Sequence, residues 1–326
     1  MKAIFLVPAP DGGVYEYREV PKPTPQRDQV LVKVHAAGTN RGELLIAKPA
    51  ARSSNPNAKA SPAGIEFAGE IAEVGPDATG WHVGERVMGV APGSYAEFVL
   101  SGSVQLMRIP DGLSWAQAAS IPNVFVTAHD AVASNGGLEP EETIMVTAAS
   151  SGIGTAAIQL ARMIGARTII ATTRAAAKKE ALTAVGADHV VDASQPGFVE
   201  RVREIAQNGV DVVIDSVGGP MLADNIAALA VQGRLVSVGR NAGKLGQCDL
   251  DQVALKRASI IGVSFRTRTP QETFLCFERF SNACLGGFGS GVLKPVLDRT
   301  FPFDRLADAH DYMLSDRQVG KIVLTA

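Results

Sequence analysis

Residues 142–160, ETIMVTAASSGIGTAAIQL, constrain the fold more than any other stretch of the chain. Ile144-Met145-Val146 reads as a buried strand, and Ile158, Leu160 and Ala161 recur at helical spacing. Between them lies a turn of small residues, Ala149-Ser150-Ser151-Gly152-Ile153-Gly154. Small side chains let the backbone come close to a pyrophosphate, and the free N–H groups and positive dipole end of the following helix then bind it. Ser151, Gly152, Ile153 and Gly154 are the expected contacts. The first two glycines of the usual G-x-G-x-x-G are Ala149 and Ser151 here, and only Gly154 stands in register. A second β-branched strand, residues 167–173 (RTIIATT), follows at the distance that a βαβ unit requires.

From Thr143 onward this alternation continues. Strands are expected at 143–148, 168–173, 189–192, 210–215, 234–238 and 260–265, and helices near 153–164, 176–185, 198–207, 220–231 and 271–284. The pattern predicts an α/β domain with a doubly wound parallel sheet covered by helices on both faces. Residues 1–120 instead read as short strands separated by Pro, Gly and Asp clusters, with a turn or two of helix around Arg41–Ile46. The tail, with Leu293–Phe301, a helical Asp304–Ser315 and a strand Lys321–Leu324, reads as a return to that first domain. The expected division is therefore 1–120 with 287–326 against 121–286. Residues 47–62, AKPAARSSNPNAKASP, are polar and Pro-rich, and two readings stay open, a functional lid and a plain surface excursion.

Thirty-one basic against thirty-three acidic residues give a net charge of −2, which offers no electrostatic footprint for nucleic acid or an anionic membrane. The partners expected are small molecules. Three cysteines, Cys248, Cys276 and Cys284, lack C-x-x-C spacing and define no disulfide framework. The N-terminal MKAIFLVPAP has too short an apolar run for a signal or a span, so a cytoplasmic protein is expected.

In a dinucleotide fold an acid at the end of the second strand takes the adenosine ribose 2′-OH and repels a 2′-phosphate. Here that strand ends Thr172-Thr173-Arg174, followed by Lys178 and Lys179, with no acid before Glu180. Hydroxyls and positive charge suit a phosphate dianion. Thr173, Arg174 and Lys178 therefore predict NADPH over NADH.

A wider pattern now emerges. Asn40, Gly64-Ile65-Glu66-Phe67-Ala68-Gly69-Glu70-Ile71-Ala72-Glu73-Val74-Gly75, Gly84-Glu85-Arg86-Val87-Met88-Gly89, Tyr95-Ala96-Glu97, Ala118-Ala119-Ser120-Ile121-Pro122, Thr127-Ala128 and Gly320-Lys321-Ile322-Val323-Leu324 occur in this order. Together they resemble the quinone oxidoreductase (zeta-crystallin-like) branch of the medium-chain dehydrogenase/reductase superfamily. The resemblance implies a GroES-like β-rich catalytic domain and a Rossmann domain. Zinc alcohol dehydrogenases of the superfamily place Cys where this chain has Gly38 and His where it has Ile65, so no metal is expected. Glu66 is then a structural residue, with Arg86 as the guessed counter-charge. Many branch members carry a Tyr soon after the Asn that matches Asn40, where this chain has Leu44, Leu45 and Ile46, and another where it has Asp192-Ala193-Ser194. Lys178 matches the family's phosphate-binding lysine.

The resemblance further implies Asn40 and Thr127 as catalytic residues near the nicotinamide, each with a plain capping or packing alternative. Phe265 matches a position beside the nicotinamide, and Lys321 one that reaches the cofactor. Strand ends, where open α/β sheets bind ligands, add Ser216, Val217, Gly239 and Arg240; Asn123, Tyr95 and Arg41 are weaker candidates as donors. Without a Lewis acid, reduction of a quinone or α,β-unsaturated carbonyl is favoured over alcohol oxidation, with positioning as the main contribution. The alternatives are an NADPH-binding, crystallin-like or regulatory protein with little turnover, and an enzyme acting on acyl thioesters, for whose CoA tail the sequence offers no dedicated basic pocket apart from the Arg52–Lys59 loop. The apolar edge strand Ser259–Ser264 is expected to pair with its copy in a homodimer.

Overall fold

The computed structural model describes residues 1–9, 12–47 and 59–326. Most of the polar segment 47–62, including Arg52 and its neighbours to residue 58, lies outside the described residues. The chain divides into two compact units. One comprises Met1–Asn123, Phe277–Ser290 and Lys294–Ala326; the other comprises Val124–Cys276 and Gly291–Leu293.

The first unit begins with eight strands: β1 (Lys2–Ala9), β2 (Gly12–Glu19), β3 (Gln29–Gly38), β4 (Ser61–Pro62), β5 (Glu66–Val74), β6 (Arg86–Val90), β7 (Phe98–Gly102) and β8 (Leu106–Arg108). The second unit holds β9 (Thr143–Val146), β10 (Thr168–Thr173), β11 (His189–Asp192), β12 (Val210–Asp215), β13 (Leu229–Ser237) and β14 (Ser259–Gly262). The chain closes with β15 (Leu297–Pro302) and β16 (Lys321–Thr325), which belong to the first unit.

In the second unit the strand order is β11-β10-β9-β12-β13-β14, with every pairing parallel. All four residues of β9 are buried, as befits a central strand covered on both faces. Winding proceeds outward from β9 in one direction and from β12 in the other, so the switch point lies at the carboxyl ends of these two strands, where such sheets bind ligands. The helix Gly152–Ile164 leaves β9 at that point. Its apolar face, including Ala157, Leu160 and Ala161, is buried, and Gly165 ends it at φ 104°, a left-handed conformation that glycine adopts without steric cost.

Some boundaries differ from those expected from the pattern. The helix expected over 220–231 stops at Ala228, because Leu229 and Ala230 already belong to β13. The last helix of this region runs over Pro270–Gly289, longer than 271–284. Lys179–Val185 forms the helix expected from 176, preceded by a 3₁₀ turn Ala176–Lys178.

The first unit packs its strands around Val30, Val32, Phe67, Ile71, Val87 and Leu324. Its larger sheet runs β15-β16-β3-β5-β6-β8, with β7 also on β3; a smaller sheet is β2-β1-β4. β16 therefore joins the N-terminal strands, pairing Val323 with Gly38 and Leu324 with Ala37. Among the described residues no helix is long and apolar enough to cross a membrane.

Candidate functional site

In the first unit, sheet register brings four separated segments together. β3 ends at Gly38, directly opposite Glu66 on β5 and Val323 on β16. Lys321 lies two residues before Val323 and so faces the same side of the sheet. A Cβ on Gly38 would stand 2.5 Å from Glu66 Oε1 and 2.6 Å from the Ala119 carbonyl oxygen, so this glycine is the gap into which the Glu66 carboxylate fits.

That carboxylate is fully buried, and its partners are all donors. Oε1 accepts from Lys321 Nζ at 2.5 Å and from Asn40 Nδ2 at 2.9 Å, while Oε2 accepts from the Asn123 backbone N–H at 2.9 Å. Lys321 is 4% exposed and uses its other donors on the Thr39 carbonyl oxygen (2.6 Å) and Asn40 Oδ1 (2.8 Å). Asn123 Nδ2 also donates to Asn40 Oδ1, at 2.9 Å. The guessed Glu66–Arg86 balance is thus corrected. β-register sets Arg86 opposite Glu70, and Arg86 donates to the Leu113 carbonyl oxygen and stacks on Trp115, leaving Lys321 as the counter-charge.

A second buried acid adjoins this cluster. Glu43 Oε2 accepts from the Asn40 backbone N–H (2.9 Å) and from Tyr95 OH (2.6 Å), and burial pushes its carboxyl up to about 7. Burial, reinforced by Glu43, likewise raises the Tyr95 phenol well above its ordinary value. The phenol is therefore a fixed donor. Leu44, one of the positions where relatives carry Tyr, is buried in the apolar core and supplies no polar group.

The second unit presents its groups at the switch point. Ser151 caps the helix Gly152–Ile164, its hydroxyl accepting from Gly154 N–H at 3.1 Å. A Cβ on Gly154 would lie 2.5 Å from the Ala149 carbonyl oxygen and 2.6 Å from its Cα, so only glycine lets the helix start this close to the turn. Ala148 takes φ 47°, which turns the chain sharply out of β9. Lys178 Nζ donates to Ser150 Oγ at 3.2 Å and so sits against the same turn; Thr173 is buried at the end of β10 and Arg174 is exposed beyond it.

At the neighbouring strand ends, Asp215 is buried. It accepts from Thr147 Oγ1 (2.7 Å) and from the N–H groups of Val217 and Gly218 (3.0 Å each). Desolvation raises its pKa against these bonds. Ser216 N–H donates to Thr147 Oγ1, and a Cβ on Gly239 would come within 2.7 Å of the Ser216 carbonyl oxygen, so β12 and β13 end side by side. Arg240 is exposed. Thr127 is half-buried on the helix Pro122–His129, and Phe265 is half-buried under the Arg268 guanidinium, whose centre lies 4.7 Å from the ring. Arg268 also pairs with buried Asp130 at 2.6 Å.

The residues expected for the cofactor thus converge as two groups in the second unit, Ser151 to Gly154 with Lys178, and Ser216, Val217 with Gly239. Asn40 and Lys321 converge in the first unit. Sequence reasoning gave Glu66 a structural role with the wrong counter-charge and named Asn123 as a candidate donor, but it missed Glu43 and the bonds that join Glu66 and Asn123 to Asn40. An acid set in the otherwise small and apolar run Gly64–Gly69 was the available signal for Glu66; nothing in the sequence pointed from Glu66 to Lys321.

Residues 26–124 match the alcohol dehydrogenase GroES-like domain, and residues 152–282 match the family described as zinc-binding dehydrogenase. The donors here do not fit zinc. Gly38 and Ile65 stand at the ligand positions, the space beside Gly38 is filled by Glu66, and Glu66 is committed to Lys321. Rat quinone oxidoreductase is 31% identical over 310 residues, covering 94% of this chain and 92% of that protein. Among solved structures, a mycobacterial protein complexed with NADPH superposes at TM-score 0.89 and 27% identity over 100% of both chains. An NAD-dependent alcohol dehydrogenase does so at TM-score 0.88 and 28% identity, again over 100% of both. The chain therefore belongs to the zinc-free quinone oxidoreductase branch of the medium-chain dehydrogenase/reductase superfamily.

Proposed function

We propose that this protein is an NADPH-dependent, metal-independent reductase that passes hydride to a quinone or an α,β-unsaturated carbonyl. The cofactor would lie on residues 121–286, and Asn40, within 1–120 and 287–326, would meet the acceptor. The observation that carries the reading is Lys178, held against Ser150 on the phosphate turn, shortly after a strand that ends at Thr173 and is followed by Arg174 in place of an acid. The turn fits a pyrophosphate, because its side chains are small, Gly154 lets the helix start close against Ala149, and that helix start supplies N–H groups and a positive dipole end.

When bound, the dihydronicotinamide supplies the hydride. Gly152 and Ile153 hold phosphate through backbone N–H groups, Lys178 and Arg174 meet the 2′-phosphate, and Ser216, Val217, Gly239 and Arg240 border the cofactor at the strand ends. Thr127 and Phe265 orient the nicotinamide. The relatives named as quinone oxidoreductases and the NADPH complex support this reading. A homodimer through β14 fits its exposed Ile260, 50% accessible at the sheet edge.

Consumption of NADPH by metal-stripped protein against a panel of quinones and enones, with NADH alongside, tests the assignment. Turnover with NADPH and little with NADH is expected. Tight NADPH binding without turnover would favour the ligand-binding alternative, for which buried Leu44 in place of a phenol is the supporting observation.

A further inference from the structure

The Glu66–Lys321 cluster fixes the orientation of two carboxamides, and that orientation has a chemical use. Asn40 Oδ1 receives two donors, Lys321 Nζ and Asn123 Nδ2, while Asn40 Nδ2 faces the Glu66 carboxylate. Reversing the Asn40 amide would set its NH₂ against an ammonium and its oxygen against a carboxylate. Reversing Asn123 would set oxygen against oxygen. Asn40 is therefore locked by charge, and Asn123 by Asn40.

Each amide nitrogen carries two hydrogens and spends one inside the cluster. The remaining N–H of each has no partner among the described residues. Glu66, Lys321, Thr39, Glu43 and Tyr95 are all buried, whereas Asn40 and Asn123 are half-exposed, so the two amides form the face that the cluster turns outward. Asn123 has also been relieved of its local duty: its backbone N–H, one of the unpaired donors of a helix first turn, is already satisfied by Glu66 Oε2.

We propose that Asn123 is a second catalytic donor beside Asn40, and that their two leftover N–H groups bind the oxygen on which negative charge develops in the acceptor. This rests on the reductase reading above. With an enone, the C–H bond of the dihydronicotinamide breaks as a hydride and a new C–H bond forms at the β-carbon. The C=C pair moves toward the carbonyl, whose oxygen becomes an enolate; the acceptor is reduced by two electrons and the dihydronicotinamide oxidised by two. Solvent then protonates the α-carbon. With a quinone, the hydride forms an O–H bond at one carbonyl oxygen, the ring pairs shift to the aromatic form, and the charge rests on the opposite oxygen until solvent protonates it to the hydroquinone. In both, the oxygen gains charge only as hydride arrives, so donors fixed beforehand lower the barrier without needing to reorganise. Lys321 and Glu66 act through the amides and are positioning residues.

The test compares Asn123→Ala, which keeps the backbone bond to Glu66, with Asn123→Gln, which keeps an amide but moves it by one methylene. Both should lower kcat about 100- to 1,000-fold and leave the NADPH dissociation constant within about twofold, as expected of a donor used only in the transition state. A second readout needs no turnover: 4-nitrophenolate serves as a stable oxyanion, followed by its visible absorbance. Wild-type protein should bind it, and Asn123→Ala should weaken that binding about tenfold. Unchanged phenolate affinity in Asn123→Ala overturns the proposal whatever the turnover, and so does a wild type that does not bind the phenolate. If wild type binds phenolate but reduces no acceptor, the reductase reading falls while the paired donors stand.

Discussion

At the switch point of the second unit the chain offers mainly backbone: a turn of Ala, Ser and Gly, a helix start capped by Ser151, and a glycine whose Cβ would strike Ala149. Around Asn40 in the first unit the chain offers side chains instead, drawn from the segment after β3, from β5, β16 and two helices, and joined by a buried ion pair. The difference has a physical source. A backbone site needs only the right local conformation, which neighbouring residues dictate. A side-chain site needs several strands in register before any of its bonds exist. The first kind should therefore fail locally when altered, and the second should fail as a unit.

The strongest way to break the side-chain cluster is Lys321→Met, which keeps most of the stem volume but leaves the Glu66 carboxylate, 0% exposed, without its cation. Breaking one side of a buried pair costs about 3–5 kcal/mol. The loss should appear as a lower denaturant midpoint at unchanged m-value, because β5 and β16 both begin at the pair.

Glu43 gives a test of opposite sign. Its carboxyl is raised from 4.5 to about 7 in the folded protein, with burial the leading cause. Between these values the folded state holds more protons than the unfolded state, so stability declines as pH rises from about 4.5 to about 7. At about 1.4 kcal/mol per unit, the loss is about 3 kcal/mol above pH 7. Glu43→Gln, neutral throughout, should be about 3 kcal/mol more stable than wild type at pH 8 and equal to it at pH 4. The difference between variant and wild type must be measured, because buried His310, lowered to about 4 by desolvation, runs the other way. It loses stability as pH falls from 6.5 toward 4, and this slope cancels in the difference.

The same contrast explains what was legible in the sequence. The strand–turn–helix at 142–160 and the alternation after it were readable because periodicity and small residues are local signals, and the doubly wound sheet followed from them. Boundaries slipped where one element abutted another, as at Ala228 and Leu229, where apolar residues suit helix and strand alike. Asn40 was found by resemblance, but its surroundings were not. Glu66 and Lys321 are 255 residues apart, and only the pairing of β16 with β3, and of β3 with β5, brings them together. Glu43 had no signal at all, since an acid in the first turn of a helix ordinarily faces water.

The backbone site should break at Gly154. Gly154→Ala forces a methyl against Ala149 backbone atoms at 2.5 to 2.6 Å, which neither a side-chain rotation nor a small breath can relieve. Displacing the helix start should cost about 1–3 kcal/mol. NADPH affinity, measured by quenching or enhancement of nicotinamide fluorescence, should weaken at least about tenfold, while the pH dependence assigned to Glu43 stays unchanged. An equal loss of both would show that the two sites fail together, against the comparison.

The smallest effects expected are at Lys178 and Arg174, and they sharpen the cofactor reading most directly. The ammonium is half-buried and bonded to Ser150 Oγ, so it is held beside the phosphate turn at little further entropic cost when a 2′-phosphate arrives. Removing one such charge-assisted contact is worth about 1.5 kcal/mol. Lys178→Ala should therefore weaken NADPH about tenfold and leave NADH nearly unchanged, since NADH has no phosphate there to lose. Arg174→Ala, at an exposed position, should do the same by about threefold. Salt separates this from a structural effect, because a phosphate contact is screened and the wild-type preference for NADPH should shrink as ionic strength rises. If both cofactors weaken equally in Lys178→Ala, the lysine supports the turn through Ser150 and does not read the phosphate.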